Sequence, residues 1–87
     1  MVRQEVKIIN TTGLHLRPAG IFSSVAGRYK CKITFEYEHI CANAKSILSV
    51  LGACIRKGDS IVLTCEGVDE EEAMAAMLQA IADGLGE

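Results

Sequence analysis

The chain opens on an alternation. From Val2 to Ile8, Val2, Gln4, Val6 and Ile8 fall on one side while Arg3, Glu5 and Lys7 fall on the other, the period-two pattern of a strand with one wet face. The polar run Asn10-Thr11-Thr12-Gly13 ends it. The alternation returns from Lys32 to Glu38, where Ile33, Phe35 and Tyr37 interleave with Lys32, Thr34, Glu36 and Glu38. A turn carrying the exposed loop histidine His39 leads to a short partner strand over Ile40 to Asn43. Beyond the turn Arg56-Lys57-Gly58-Asp59, Ile61, Leu63 and Cys65 alternate with Ser60, Val62 and Thr64 as a fourth strand.

Three intervals carry helical spacing instead. Leu16 to Gly27 places Ala19, Phe22, Val25 and Ala26 on one inward face, and Pro18, with its fixed φ and missing N–H, suits a first turn. Gly20 weakens this helix by about 1 kcal/mol relative to Ala; a low surface for a partner and close helix packing both account for it. Ser46 is expected to cap a short helix holding Ile47, Leu48, Val50 and Leu51 and ending around Gly52 to Cys54. In Asp69-Glu70-Glu71-Glu72, Asp69 is the expected N-cap and Glu72 the N3 glutamate of a third helix. Its stripe is Met74, Met77, Leu78, Ile81 and Leu85, with the methionines as core and Gly84 or Gly86 as the stop. The order β-α-β-β-α-β-α, with one apolar face per strand, predicts an open-faced two-layer α+β sandwich: helices stacked on one side of an antiparallel sheet.

Composition narrows what such a sandwich can be. Eighty-seven residues, 49% of them hydrophobic, make a single domain over 1–87 that buries only about 60–65% of its unfolded surface. A net charge of −2 without a basic run argues against direct nucleic-acid binding and leaves proteins or small anions as partners. No apolar stretch approaches the roughly 18 residues needed to span a bilayer, and Met1 to Asn10 is no signal-peptide core. A cytoplasmic protein with no membrane insertion is expected. The cysteines Cys31, Cys41, Cys54 and Cys65 are spaced ten or more apart with no C-x-x-C, so reduced, buried or half-buried thiols are expected, with neither disulfides nor a metal. A small metal-binding domain using His15, His39 and cysteines would need an arrangement that the spacing does not advertise.

The unusual chemistry lies in Gly13-Leu14-His15-Leu16-Arg17-Pro18-Ala19. A helix start favours negative side chains by about 0.3–1 kcal/mol, yet here His15 falls near the N-cap and Arg17 in the first turn. An anion held by first-turn N–H groups and the guanidinium fork would relieve the mismatch, and a nucleophilic imidazole beside it suggests phosphoryl transfer. The plainer alternative is a neutral His15 accepting a backbone N–H as an improvised cap, with Arg17 pointing into water.

Asn10 to Ala19 closely resembles the active-site segment of the histidine-containing phosphocarrier (HPr) family of the bacterial sugar phosphotransferase system. The resemblance continues through Asn43-Ala44-Lys45-Ser46-Ile47-Leu48, Lys57-Gly58-Asp59 and Gly67-Val68-Asp69-Glu70. It implies a sheet of order 1-4-2-3, which periodicity alone does not give. It also implies a stoichiometric carrier, not an enzyme, that accepts a phosphoryl group on His15 from phosphorylated Enzyme I and passes it to sugar-permease IIA domains. Arg17 would steady the phosphoryl group, and no cofactor or metal would be needed. Leu16, Gly20, Ile47, Leu48 and Leu51 would form the docking surface of a monomer. Ser46 matches a regulatory serine, so an HPr kinase/phosphorylase and a catabolite-control transcription factor are further implied partners. The alternative within the family is a regulatory protein-binding module acting mainly through Ser46 phosphorylation. Departures from the family pattern are Leu16 for a smaller residue, and Ser49 and Cys54 where glycine is usual.

Overall fold

The computed structural model describes residues 1–87. Four strands, β1 (Val2–Lys7), β2 (Lys32–Tyr37), β3 (Ile40–Asn43) and β4 (Ser60–Glu66), alternate with three helices, α1 (Leu16–Gly27), α2 (Ile47–Gly52) and α3 (Glu70–Ala82). The sheet is antiparallel throughout in the order β1-β4-β2-β3. Both the α+β class and the 1-4-2-3 order are as expected. The inward row of the sheet, Ile33, Phe35, Ile61, Leu63 and Cys65, is fully buried beneath Ala19, Phe22 and Ala26 of α1 and Ala73, Met77 and Ile81 of α3. Phe22 meets Phe35 edge to face, with centroids 6.0 Å apart and planes at 88°, the arrangement that ring quadrupoles favour. The opposite face stays open and polar.

Several boundaries move by a residue. Ile8 leaves β1 but is completely buried in the core, and its backbone stays paired: its N–H donates to Asp59 O and its carbonyl accepts from Gly58 N, each at 2.8 Å. Gln4 shares the inward row, opposite Leu63, yet is exposed, since β1 is an edge strand and the helices do not cover this position. Glu38 belongs to the β2–β3 turn rather than to β2, with φ at 54°.

At the start of α3, Asp69 is the N-cap residue as expected, but the side-chain bonds expected there are not the ones made. Asp69 makes no side-chain cap hydrogen bond; its carboxylate accepts instead from Lys30 N at 2.8 Å and Cys31 N at 2.9 Å, fastening the turn before β2 to the loop after β4. Nor does Glu72 complete a capping box. It is Glu70 that reaches back, accepting from Gly67 N at 3.1 Å. The far end is a Schellman turn: Leu85 N donates to Ala80 O and Gly84 N to Ile81 O, with Gly84 at φ 84°. Leu85 therefore lies beyond the helix yet is 1% exposed, returned to the core by the left-handed step.

The thiols also depart from expectation. All four are free, but only Cys31 and Cys65 are buried; Cys41 and Cys54 are exposed. Cys41 pairs with Glu36 on the open side of the sheet, and Cys54 follows α2 at φ 56°, a left-handed conformation costing a non-glycine residue about 1–2 kcal/mol. Burial, and next a hydrogen bond to Asp69, push the Cys31 thiol up to about 11.

The hydrogen bonds to Asp69, first from Lys30 N and then from Cys31 N, hold its carboxyl below the ordinary 3.8. A depressed native pKa means stability that is complete above the unfolded value and lost as pH falls through the folded one. Denaturant unfolding should find Asp69→Asn less stable than wild type at neutral pH. The gap should narrow below about pH 4 as the wild-type carboxylate protonates. A gap independent of pH would assign Asp69 no charged role.

Candidate functional site

The segment between β1 and α1 is set from its inner side. Asn10, 4% exposed, donates through Nδ2 to Gly13 O, and Gly13 N donates to Asn10 O at 3.1 Å, closing a tight turn. Gly13 has φ 64°, and a Cβ there would lie 2.6 Å from Ile55 O and 2.7 Å from Arg56 Cα, so the position requires glycine both for conformation and for room. Leu14 N then donates to Ile55 O at 2.9 Å and its side chain is buried.

From that seat the chain enters α1 with His15 as N-cap in an extended conformation, φ −83° and ψ −163°. His15 O accepts the first helical hydrogen bond, from Ala19 N at 2.8 Å. The imidazole is exposed and makes no cap hydrogen bond, which removes the improvised-cap reading. Pro18 is buried in the first turn and no acidic residue accompanies it. Arg17 is exposed and forms no ion pair. An imidazole, a guanidinium and the amides of a first turn thus share one exposed helix start, a combination suited to holding an anion beside a nucleophile.

Around it lies apolar surface. Leu16 is 66% exposed and Leu48 80%, with Ile47 also exposed and Leu51 half-buried. Gly20 sits where α1 meets α2: a Cβ there would touch only Ile47 Cδ1, at 3.6 Å, so the position serves close helix contact without forbidding alanine. Ser46 caps α2 as expected, its Oγ accepting from Ser49 N at 3.3 Å. Beside His15 an open cleft of about 640 Å³ is lined by Thr12, Tyr37, Leu51, Cys54 and Arg56 among others. Its far wall is braced by Asp59, which accepts from Tyr37 OH at 2.7 Å and Arg56 N at 2.9 Å. That hydrogen bond pushes the Tyr37 phenol up to about 12. His39 stays apart, exposed in the β2–β3 turn, and no group of His, Cys, Asp and Glu side chains is placed to hold a metal ion.

One contact at the site was not anticipated. Glu87 accepts from Thr12 N at 3.2 Å and from Thr12 Oγ1 at 2.7 Å, bonds that hold its carboxyl below the usual glutamate range. No local motif announces a pairing across 75 positions.

Fold and site together define a small open-faced sandwich with a solvent-facing histidine at a helix start. Residues 2–83 match the family described as the PTS HPr component phosphorylation site, and the chain belongs to this HPr family of the phosphotransferase system. It is 40% identical over 78 residues to the HPr-like protein Crh of Halalkalibacterium halodurans, covering 90% of this chain and 93% of that one. It is likewise 40% identical over 78 residues to the phosphocarrier protein HPr of Pseudomonas aeruginosa, covering 88% and 87%. Among solved structures, HPr-C-His from Thermoanaerobacter tengcongensis superposes with a TM-score of 0.96 at 37% identity, over 100% of this chain and 98% of that one.

Proposed function

We propose that this chain is a stoichiometric, cytoplasmic phosphoryl carrier in which His15 takes the group from phosphorylated Enzyme I and gives it to a sugar-permease IIA domain. The observation that carries the reading is the exposed, uncapped imidazole of His15 beside the unpaired Arg17 at a helix start with no acid in its first turn. The lone pair on neutral Nδ1 attacks the phosphorus of the donor's phosphohistidine. The donor's P–N bond breaks, its electron pair returns to the donor imidazole, which takes up a proton, and the His15 ring gives up its own N–H proton as the new bond forms, so that both rings end neutral. The step then repeats with His15 as donor. Arg17 and the first-turn amides compensate charge on the phosphoryl oxygens; their hold must be moderate, since binding the carried group as tightly as the transition state would slow its departure.

Leu16, Gly20, Ile47, Leu48 and Leu51 form the docking surface in this reading. Leu16 and Leu48 support it, because so much exposed apolar surface at one place is what a partner would cover. Enzyme I with phosphoenolpyruvate should place one acid-labile phosphoryl group on the protein, and His15→Ala should abolish it. Label surviving that substitution, or mapping to His39, overturns the assignment. In the same assay Arg17→Ala should remain folded and transfer more slowly, by about 2–4 kcal/mol of transition-state stabilisation; an unaltered rate would leave Arg17 a solvated surface residue.

The similarity to Crh favours a second, regulatory reading through Ser46. A phosphoserine carries about −1.5 to −2 charge, which a helix N-terminus accommodates, so phosphate at Ser46 should leave α2 intact. It would place new charge beside Ile47 and Leu48, opposing an acidic partner while offering a cationic regulator a point of attachment. An HPr kinase/phosphorylase would write that mark and a catabolite-control transcription factor would read it. Ser46→Asp and authentic phosphoserine should both slow transfer from Enzyme I relative to Ser46→Ala. Equal rates for all three would leave Ser46 a cap alone. Retention of His15 favours the carrier as the main role.

A further inference from the structure

His15 makes no side-chain hydrogen bond within the protein, so the direction of its ring is inherited from the backbone on either side. The inner side of the preceding turn is fixed by Asn10 Nδ2 to Gly13 O and by Leu14 N to Ile55 O. Its outer side is fixed by Glu87, whose two carboxylate oxygens take both donors of Thr12. We propose that Glu87 is a positioning residue for phosphoryl transfer, acting through Thr12 to hold the turn that presents His15; this rests on the carrier function proposed above.

The tail that delivers Glu87 is itself anchored. Leu85 is buried after the left-handed step at Gly84, and Gly86, at φ 91°, passes so close to α1 that a Cβ there would lie 2.5 Å from Ile21 Cδ1 and 3.4 Å from Arg17 Nε. One short segment thus bonds the turn before His15 through Glu87 and passes close to the helix after it near Ile21 and Arg17. Thr12 and Arg17 flank the imidazole in sequence, three residues before it and two after it. A brace across both fixes the helix start relative to the turn, and small misplacements of a reacting group lower rates steeply. Both bonds to Thr12 end on a carboxylate, and the one from its hydroxyl, at 2.7 Å, is the short one.

The test uses the full chain and a double-mutant cycle, with transfer from phosphorylated Enzyme I measured at varied concentrations of this protein. Glu87→Ala should lower the saturating rate constant about tenfold, with the apparent KM changed less than about twofold, and Thr12→Val, which keeps the bond from the Thr12 N–H, should lower it less. The double variant should be no slower than Glu87→Ala, because that substitution already removes both bonds to Thr12. Glu87→Gln, which keeps one acceptor oxygen, should lie between wild type and Glu87→Ala. Amide hydrogen exchange at Thr12 should accelerate in Glu87→Ala. Additive losses, a glutamine variant as slow as alanine, a lowered melting temperature with an unchanged saturating rate, or unaltered Thr12 exchange would each overturn the proposal. Failure of Enzyme I to label wild type would overturn the carrier reading and this role with it. A normally labelled wild type with unaffected variants would overturn the positioning role alone.

Discussion

The backbone of Gly13 lies against that of Ile55 and Arg56 with no space for a side chain between them. This contact is possible because β1 and β4 are neighbours: Lys7 pairs with Ser60, so the segment leaving β1 and the segment entering β4 depart from the same corner of the sheet. Ile8 continues the zipper with hydrogen bonds to Gly58 and Asp59, and Leu14 resumes it at Ile55. Only the turn between these two attachment points is free to project, and α1 begins where it ends. The place of His15 is therefore fixed by sheet order and by a left-handed glycine, without any side-chain partner for the imidazole itself.

Two aspartates make the long-range fastenings that the short strands could not secure alone. Asp59 gathers the Tyr37 hydroxyl and Arg56 N–H, joining the end of β2 to the turn before β4. Asp69 gathers the N–H groups of Lys30 and Cys31 near the beginning of β2. A carboxylate suits both places because each oxygen accepts more than one donor and the charge strengthens each bond. Held near both ends, β2 can keep Phe35 under Phe22, and α1 keeps its orientation over the sheet. A change at Asp59 would reach the cleft beside His15 through Tyr37 and Arg56, both of which line it.

Elements were legible in the sequence where burial imposes a period. The rows Ile33, Phe35 and Ile61, Leu63, Cys65, and the stripe Ala19, Phe22, Val25, Ala26, all face the core, since a strand or helix with one wet face can place its apolar residues in only one register. Sheet order was not legible that way; periodicity says which face is dry but not which strand lies beside which, and the order came from family resemblance. Asp69 does stand at the N-cap, as its sequence context says, but its carboxylate does not cap, because the folded chain offers it two donors from a distant turn. Cys41 and Cys54 misled because a small apolar side chain suits a core and tolerates a surface equally. Of the candidate site, the helix start at His15 could be read because Pro18 constrains where a helix begins. Glu87 could not, since its partner is remote in sequence and an isolated glutamate near Gly84 and Gly86 carries no signal.

The start of α1 violates the usual preferences of a helix, and the pattern of violation is informative. A serine or aspartate at the position of His15 would satisfy an orphan N–H and add about 0.5–2 kcal/mol, and an acid in place of Arg17 would suit the dipole. The domain forgoes both at one spot, while α2 keeps an ordinary serine cap and α3 begins with three glutamates. The cost is affordable because α1 is held by burial, with Phe22, Ala19 and Ala26 completely covered, so its formation does not depend on its first turn. A capping imidazole would have committed a ring nitrogen to the backbone, and a first-turn acid would have repelled an incoming anion. An uncapped His15 with an unpaired Arg17 keeps the nucleophile and the cation both available, which is the state that a group passed from partner to partner requires at each arrival.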